Sequence, residues 1–133
     1  MGCRGSSVRI RPTRPSFPRS VIIEVTQALS IYVVAADSAE AERIAETLIE
    51  ERLAACVNIL GDIRSVYRWE GKIERAGEVA LIAKTTVDCF EQLAKRVRDM
   101  HSYKTPAIVA WPIVTGDADY LKWIASETGN PSE

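Results

Sequence analysis

The sequence has few of the features that mark several common protein classes. Among its 133 residues are three cysteines, Cys3, Cys56 and Cys89, whose odd number and wide spacing argue against a disulfide framework or a paired-thiolate zinc motif. No apolar run approaches the ~20 residues that span a bilayer. The formal net charge is -1, so overall charge does not favour nucleic acid or an anionic membrane as a partner. We therefore expect a protein of the cytoplasm, a reducing compartment, with neither partner.

Catalytic signatures are missing as well. The sequence has no Walker-type phosphate loop, no G-x-S-x-G elbow and no H-E-x-x-H pair. Catalysis would rest on His101 or Lys84 acting without a recognisable partner. The sequence therefore favours a binding protein over an enzyme.

The N-terminal residues 1–27 differ in composition from the rest of the chain. Arginines alternate there with prolines and serines without an amphipathic period, which predicts a disordered basic extension. The alternatives are a basic arm for nucleic acid, a targeting peptide, or a mis-called start codon with translation beginning near Val21 or Val25. Residues 28–128 then form one domain, and residues 129–133 form a flexible tail.

Hydrophobic periodicity predicts an alternation of strands and helices. Strands are predicted at residues 31–36, 54–60, 65–74, 78–85 and 107–113. A first helix begins at Asp37, with Glu40 in a capping box, and its apolar face extends to Leu53. A second amphipathic helix spans residues 90–100, and Asp117 caps a short last helix.

Turn residues then predict how the strands connect. Gly61 and Asp62 supply turn chemistry for a hairpin, whereas Gly71 predicts a bulge or bend within the following long strand. Pro112 lacks an N–H group, so the last strand should end at an edge or a bulge. The element order predicts an α+β fold, a ferredoxin-like split βαβ sandwich with an extended β-hairpin and a C-terminal helix.

Five segments of this scaffold stand out as motifs, namely residues 51–58 (ERLAACVN), 65–73 (SVYRWEGKI), 78–85 (EVALIAKT), 101–106 (HSYKTP) and 116–123 (GDADYLKW). Together, in this order, they resemble the CutA divalent-cation tolerance family. The resemblance implies a homotrimer that binds divalent metal ions, chiefly copper, without an organic cofactor. An unpaired hairpin edge gives a partial physical reason for the trimer, because closure around a threefold axis pairs such edges.

The resemblance makes His101 and Cys56 the candidate metal ligands. Imidazole suits Cu(II), but a histidine at a helix C-terminus also interacts favourably with the helix dipole. A thiolate suits Cu(I), but a cysteine within a strand is more commonly a small core residue. The His101 loop departs from the family pattern, because Ser102 replaces a proline, and Lys104 and Ala107 replace acidic or amide residues that would favour a metal ion.

The remaining candidates are aromatic and charged residues that could converge on a cleft between subunits. They are Tyr67, Trp69, Glu70, Lys72, Lys84 and Tyr103. Tryptophan and tyrosine are also enriched at buried contacts, so these residues could instead stabilise the trimer. The competing function is a signalling or scaffolding trimer that binds a small metabolite or a protein in these clefts, with metal binding incidental.

Overall fold

The computed structural model describes residues 26–129 of the chain. The predicted N-terminal extension up to residue 25 and the predicted tail beyond residue 129 lie outside the described residues. Within the described part, no helix combines the length and apolar character needed to cross a membrane.

Four antiparallel strands form a single sheet in the described chain. They are β1 (Ala28–Ala35), β2 (Cys56–Trp69), β3 (Lys72–Thr86) and β4 (Ile108–Pro112). Their order across the sheet is β2-β3-β1-β4, and both β2 and β4 are edge strands. With helices after β1 and β3, this order confirms the predicted ferredoxin-like α+β fold. The predicted edge position of Pro112 is also confirmed, since β1 is the one strand of residues 26–129 with which β4 pairs.

Helices pack on one face of this sheet and create the core. They are α1 (Ser38–Glu50) and α2 (Phe90–Met100), while α3 (Ala118–Glu127) follows β4. Asp37 begins α1 as predicted, because its Oδ1 accepts the Glu40 N–H at 2.9 Å. The largest fully buried side chains at this interface include Ile31, Ile44, Leu48, Leu81, Leu93 and Val97. Each contributes about 1.5–3 kcal/mol through burial of apolar surface.

The end of α1 differs from the prediction that its apolar face continues helically to Leu53. The helix ends at Glu50, and Arg52 adopts a left-handed conformation with φ of 58°. The Leu53 N–H then donates to the Leu48 carbonyl at 2.9 Å, as in a Schellman motif. This reversal returns Leu53 to the core, where it is buried without belonging to the helix.

Arg52 also anchors the C-terminal helix. Its Nε donates to the Gly129 carbonyl and its guanidinium Nη2 to the Ser126 carbonyl, both at 2.9 Å. These carbonyls lie at the end of α3, where the helix dipole favours a positive charge. At the other end of α3, Asp117 accepts the Tyr120 N–H at 3.0 Å, which confirms the predicted cap.

The hairpin formed by β2 and β3 reverses the predicted positions of turn and bulge. The chain turns at Glu70 and Gly71, whose φ values of 50° and 81° are typical of a two-residue type I′ turn. Gly61, with φ of 102°, lies at a bulge where the pairing shifts between Ile59 and Gly61. The predicted turn at Gly61-Asp62 and the predicted bulge at Gly71 are therefore wrong, and two long strands replace the three predicted pieces.

The bulge determines which residues of β2 lie on which face of the sheet. Before it, Val57 and Ile59 pack against the core on the side of α1 and α2. Beyond it, Tyr67 and Trp69 lie on the opposite face, since they pair with β3 residues that alternate with the core residues. We call this second side of the sheet the open face. Parts of it are covered by α3 and by the segment of residues 101–107.

Candidate functional site

A cleft of about 460 Å³ lies on the open face, between the hairpin and residues 103–107. Its lining combines aromatic rings with charged and hydroxyl groups, among them Ser65, Tyr67, Trp69, Glu78, Tyr103 and Lys104. The hairpin supplies one wall, because Tyr67, Trp69 and Glu78 lie on the same side of β2 and β3. The loop after α2 supplies the other wall.

Glu78 and Tyr103 join the two walls of the cleft. The Tyr103 hydroxyl donates to Glu78 Oε2 at 2.7 Å, and Glu78 is only 9% exposed. Burial raises the pKa of Tyr103 to about 12, and the hydrogen bond to Glu78 acts in the same direction. Tyr103 therefore stays protonated and able to donate to Glu78 across the physiological pH range.

A second buried carboxylate, Glu40, holds the loop that forms the cleft. Its Oε2 accepts the Ser102 N–H at 2.7 Å, and its Oε1 accepts the Ala36 N–H at 2.8 Å. Burial raises the pKa of Glu40, but these hydrogen bonds outweigh burial, so the net pKa is lowered. A proline at position 102, as the family resemblance leads us to expect, would lack this N–H, so Ser102 makes a hydrogen bond to Glu40 that a proline could not make.

His101 lies beneath this loop with its side chain fully buried. Its Nε2 lies 2.7 Å from the Val34 carbonyl oxygen, and the Tyr103 N–H donates to its Nδ1 at 3.0 Å. This pattern assigns the proton to Nε2, because a carbonyl can only accept a hydrogen bond. Both ring nitrogens are therefore occupied by the protein itself, and the prediction that His101 ligates a metal stays a prediction.

Cys56 lies at the other end of the open face, at the start of β2. Its Sγ is 3.4 Å from the Tyr120 hydroxyl of α3. This hydrogen bond is the main reason that the pKa of Tyr120 is raised, to about 12, and burial adds to it. Cys56 pairs with Lys84, whereas His101 bonds to Val34, which pairs with Ala80. Lys84 follows Ala80 by four residue steps, so the two candidate ligands are about 13 Å apart along β3.

The structure brings together only some of the predicted cleft residues. Tyr67, Trp69 and Tyr103 line the cleft. Glu70 lies in the turn of the hairpin and Lys72 pairs with Trp69 at its tip, so both lie beyond the cleft lining. Lys84 lies twelve positions from Lys72 along β3, or about 40 Å away, with its Nζ 3.4 Å from Asn58 Oδ1.

Sequence reasoning does not select Glu40 or Glu78 as site residues. It interprets Glu40 only as part of a helix cap, and Glu78 only as the start of a strand. An acidic residue within an otherwise apolar pattern is the sequence signal that would have indicated Glu78. Among residues 26–129, no group of three or more histidine, cysteine, aspartate or glutamate side chains is arranged to hold a metal ion.

The strand order, the long hairpin and the C-terminal helix define a ferredoxin-like protein with an open sheet face. Among known proteins, the model of the family described as CutA1 divalent ion tolerance protein matches residues 29–127. The chain therefore belongs to the CutA1 family, as the sequence motifs predicted.

Individual relatives support this assignment. The divalent-cation tolerance protein CutA of Archaeoglobus fulgidus is 51% identical over 94 residues, which is 71% of this chain and 91% of that protein. The chloroplastic CutA of Arabidopsis thaliana is 35% identical over 125 residues, covering 94% of this chain and 64% of that protein. The solved structure of Cut A1 from Thermus thermophilus matches with a TM-score of 0.76 at 41% identity, covering 77% of this chain and 99% of the other. The predicted cytoplasmic location stays a prediction.

Proposed function

We propose that this protein acts in tolerance of divalent metal ions, chiefly copper, as a homotrimer without catalytic activity. Membership of the CutA1 family is the observation that carries the proposal. A chromosomal deletion of the gene tests it, because the deletion strain should grow less well than its parent on copper and recover with a plasmid copy. Equal growth of both strains over a copper series would contradict the proposal.

The exposed surface of the distal hairpin, residues 62–78, supports the trimer. Val66 is 58% exposed, Trp69 54% and Ile73 64%, and the register places Trp69 on the face opposite Ile73 and Val66. Sister subunits that pack against both faces would remove this apolar surface from water, and the cleft on the open face would then lie between subunits. Closure around a threefold axis would also pair the edge strands without open-ended aggregation.

Sedimentation of the purified protein at micromolar concentration tests this assembly. The wild type should sediment as a trimer. The Ile73→Glu variant should sediment as smaller species, because a charge replaces an apolar contact between subunits. Ile49→Glu is the matched control, since Ile49 is an exposed apolar residue on α1 that lies near Val57, outside the distal hairpin. A well-folded wild-type monomer would refute the proposed assembly.

Copper binding through His101 requires a rearrangement of the loop. For Nε2 to ligate a metal ion, it must lose its proton and its hydrogen bond to the Val34 carbonyl, which costs about 1 kcal/mol. Cys56 lies too far away to share the ion within one chain, so water or a second subunit has to complete the coordination. Calorimetric titration with Cu(II) of the wild type, His101→Ala and Cys56→Ser tests each ligand separately. A curve that equals the wild-type curve removes that residue from the site.

The cleft on the open face favours a second candidate function, a signalling or scaffolding role with a small metabolite bound there. Its supporting observation is the meeting of aromatic side chains with the buried Glu78 in a space large enough for a small molecule. In the growth assay, at a temperature at which both variants stay folded, this candidate predicts that Trp69→Ala abolishes function while His101→Ala retains it. The metal-binding function predicts the opposite result.

A further inference from the structure

The cleft contains a buried carboxylate whose hydrogen bonds are incomplete. Glu78 is 9% exposed, and its Oε2 accepts the hydroxyl of Tyr103. No side chain or backbone group within residues 26–129 donates a hydrogen bond to its Oε1 or pairs with its charge. Buried carboxylate oxygens normally have a donor, and for Oε1 that donor has to come from outside the described residues. The cleft is therefore suited to a ligand that brings a donor, preferably a positively charged one, to Oε1.

The aromatic lining points to the same type of ligand group. The rings of Tyr67, Trp69 and Tyr103 line the space beside Glu78. Aromatic faces carry negative partial charge and attract an ammonium or guanidinium group. A primary ammonium fits better than a quaternary one, because only the primary group has N–H bonds to donate to Oε1.

Lys104 adds a positive charge at another part of the lining. Its side chain is exposed, and no acidic group of the described residues forms an ion pair with it. A ligand that carried only an ammonium group would be repelled by Lys104. A ligand with a carboxylate at its other end would instead be attracted to both ends of the cleft.

We propose that this cleft binds a small zwitterion, a primary amine that also carries a carboxylate. Its ammonium group donates to Glu78 Oε1 among the three aromatic rings, and its carboxylate faces Lys104. The cleft volume of about 460 Å³ is ample for a compound of this class. The inference rests on the second proposed function and specifies the chemistry of its ligand.

Calorimetric titration of the full chain with three matched series of compounds tests the inference. The series are ω-amino acids of about three to six carbons, n-alkylamines and n-alkanoates of the same lengths. At least one amino acid should bind about fivefold or more tightly than the amine and the alkanoate of equal length, as expected for an added exposed ion pair. Tighter binding of the alkanoate, or no binding by any amine or amino acid, would refute the inference.

Two substitutions test which residue binds each end of the ligand. Glu78→Gln should weaken binding of amines and amino acids about tenfold or more, because it removes the charge but keeps an acceptor for Tyr103. Lys104→Ala should weaken binding of the amino acid about fivefold, while binding of the amine is retained or strengthened. Unchanged binding of the amino acid in either variant would contradict the assignment.

A further variant separates the role of Glu78 in binding from its role in folding. Tyr103→Phe keeps the charge of Glu78 and leaves both carboxylate oxygens available, so amine binding should persist in a sample with a wild-type circular dichroism spectrum. Loss of amine binding in such a folded sample would refute the role of Glu78.

Sedimentation and copper titration of the same wild-type sample separate the proposals. A copper-binding trimer without affinity for the zwitterions refutes this inference alone, and a monomer that binds them refutes only the proposed trimer.

Discussion

Replacement of His101 by alanine should destabilise the protein even when no metal is present. The substitution removes the hydrogen bond of Nε2 to the buried Val34 carbonyl and the acceptor of the Tyr103 N–H. It also leaves a cavity, because the imidazole is fully buried and packs against the Tyr103 ring with 4.9 Å between ring centroids. One unsatisfied buried carbonyl and the lost packing together cost about 3 kcal/mol.

Urea unfolding followed by circular dichroism measures this loss. The titrations should contain a chelator, so that metal binding makes no contribution, and a fixed protein concentration, because assembly would link stability to concentration. A loss of this size corresponds to a melting temperature lower by about 10–20 °C for a domain of this length. Lys104→Ala, an exposed change in the same loop, is the control and should stay within about 0.5 kcal/mol of the wild type.

A partial rescue makes the test specific. Glutamine at position 101 places an amide N–H near the position of Nε2, so His101→Gln should recover part of the stability that His101→Ala loses. Wild-type stability of His101→Ala in chelator would refute the structural role derived from these hydrogen bonds. Equal destabilisation by both substitutions would show that the contact with Val34 is not responsible.

Three further predictions concern the scaffold. Gly71→Ala should cost about 1 kcal/mol in urea unfolding because φ is 81° there, whereas the matched Gly77→Ala, in open space without a positive φ, should cost nothing; equal effects would contradict the turn assignment. Because the pKa of Glu40 is lowered on folding, its charge stabilises the protein above the unfolded pKa of 4.5, and this contribution is lost as pH falls through the folded pKa. The free energy of unfolding of Glu40→Gln should therefore fall less than that of the wild type as pH drops below 4.5. Parallel curves of unfolding free energy against pH would refute this role of Glu40. Arg52→Ala should accelerate hydrogen exchange of the amides at the end of α3, since two carbonyls there lose their donor; unchanged exchange would argue against the anchor.

Local patterns in the sequence sufficed to predict the elements and the fold class. Asp37 and Asp117 cap helices as predicted, because capping depends on residues within one turn. The hairpin was harder, since Gly61-Asp62 and Glu70-Gly71 both carry turn chemistry. Local preference could not decide which pair turns, and pairing with a third strand settles it.

The candidate site was less accessible from sequence because its contacts are long-range. Residue 34, whose carbonyl lies against the His101 ring, is 67 positions away along the chain. Likewise, Tyr103 and Glu78 meet across 25 positions. No periodicity relates such pairs, so a histidine after a helix looks the same in sequence whether it faces solvent or a buried carbonyl. Tyr67 and Trp69 line a cleft within one chain, but the prediction that they converge on a cleft between subunits stays a prediction. Strict alternation along β2 would assign them to the opposite face of the sheet.

The bulge in β2 makes the two strands of the hairpin unequal in their tolerance of length changes. Leu60 is an extra residue without a counterpart on β3, since Ile59 pairs with Leu81 and Gly61 pairs with Ala80. Deletion of Leu60 would produce a regular ladder, in which all the remaining residues of β2 keep their partners and their sides of the sheet. The same deletion within the central part of β3 would disturb pairing with β1 and β2 together. We therefore expect shortened natural or engineered versions of this hairpin to lose residues from β2, the edge strand, and not from β3.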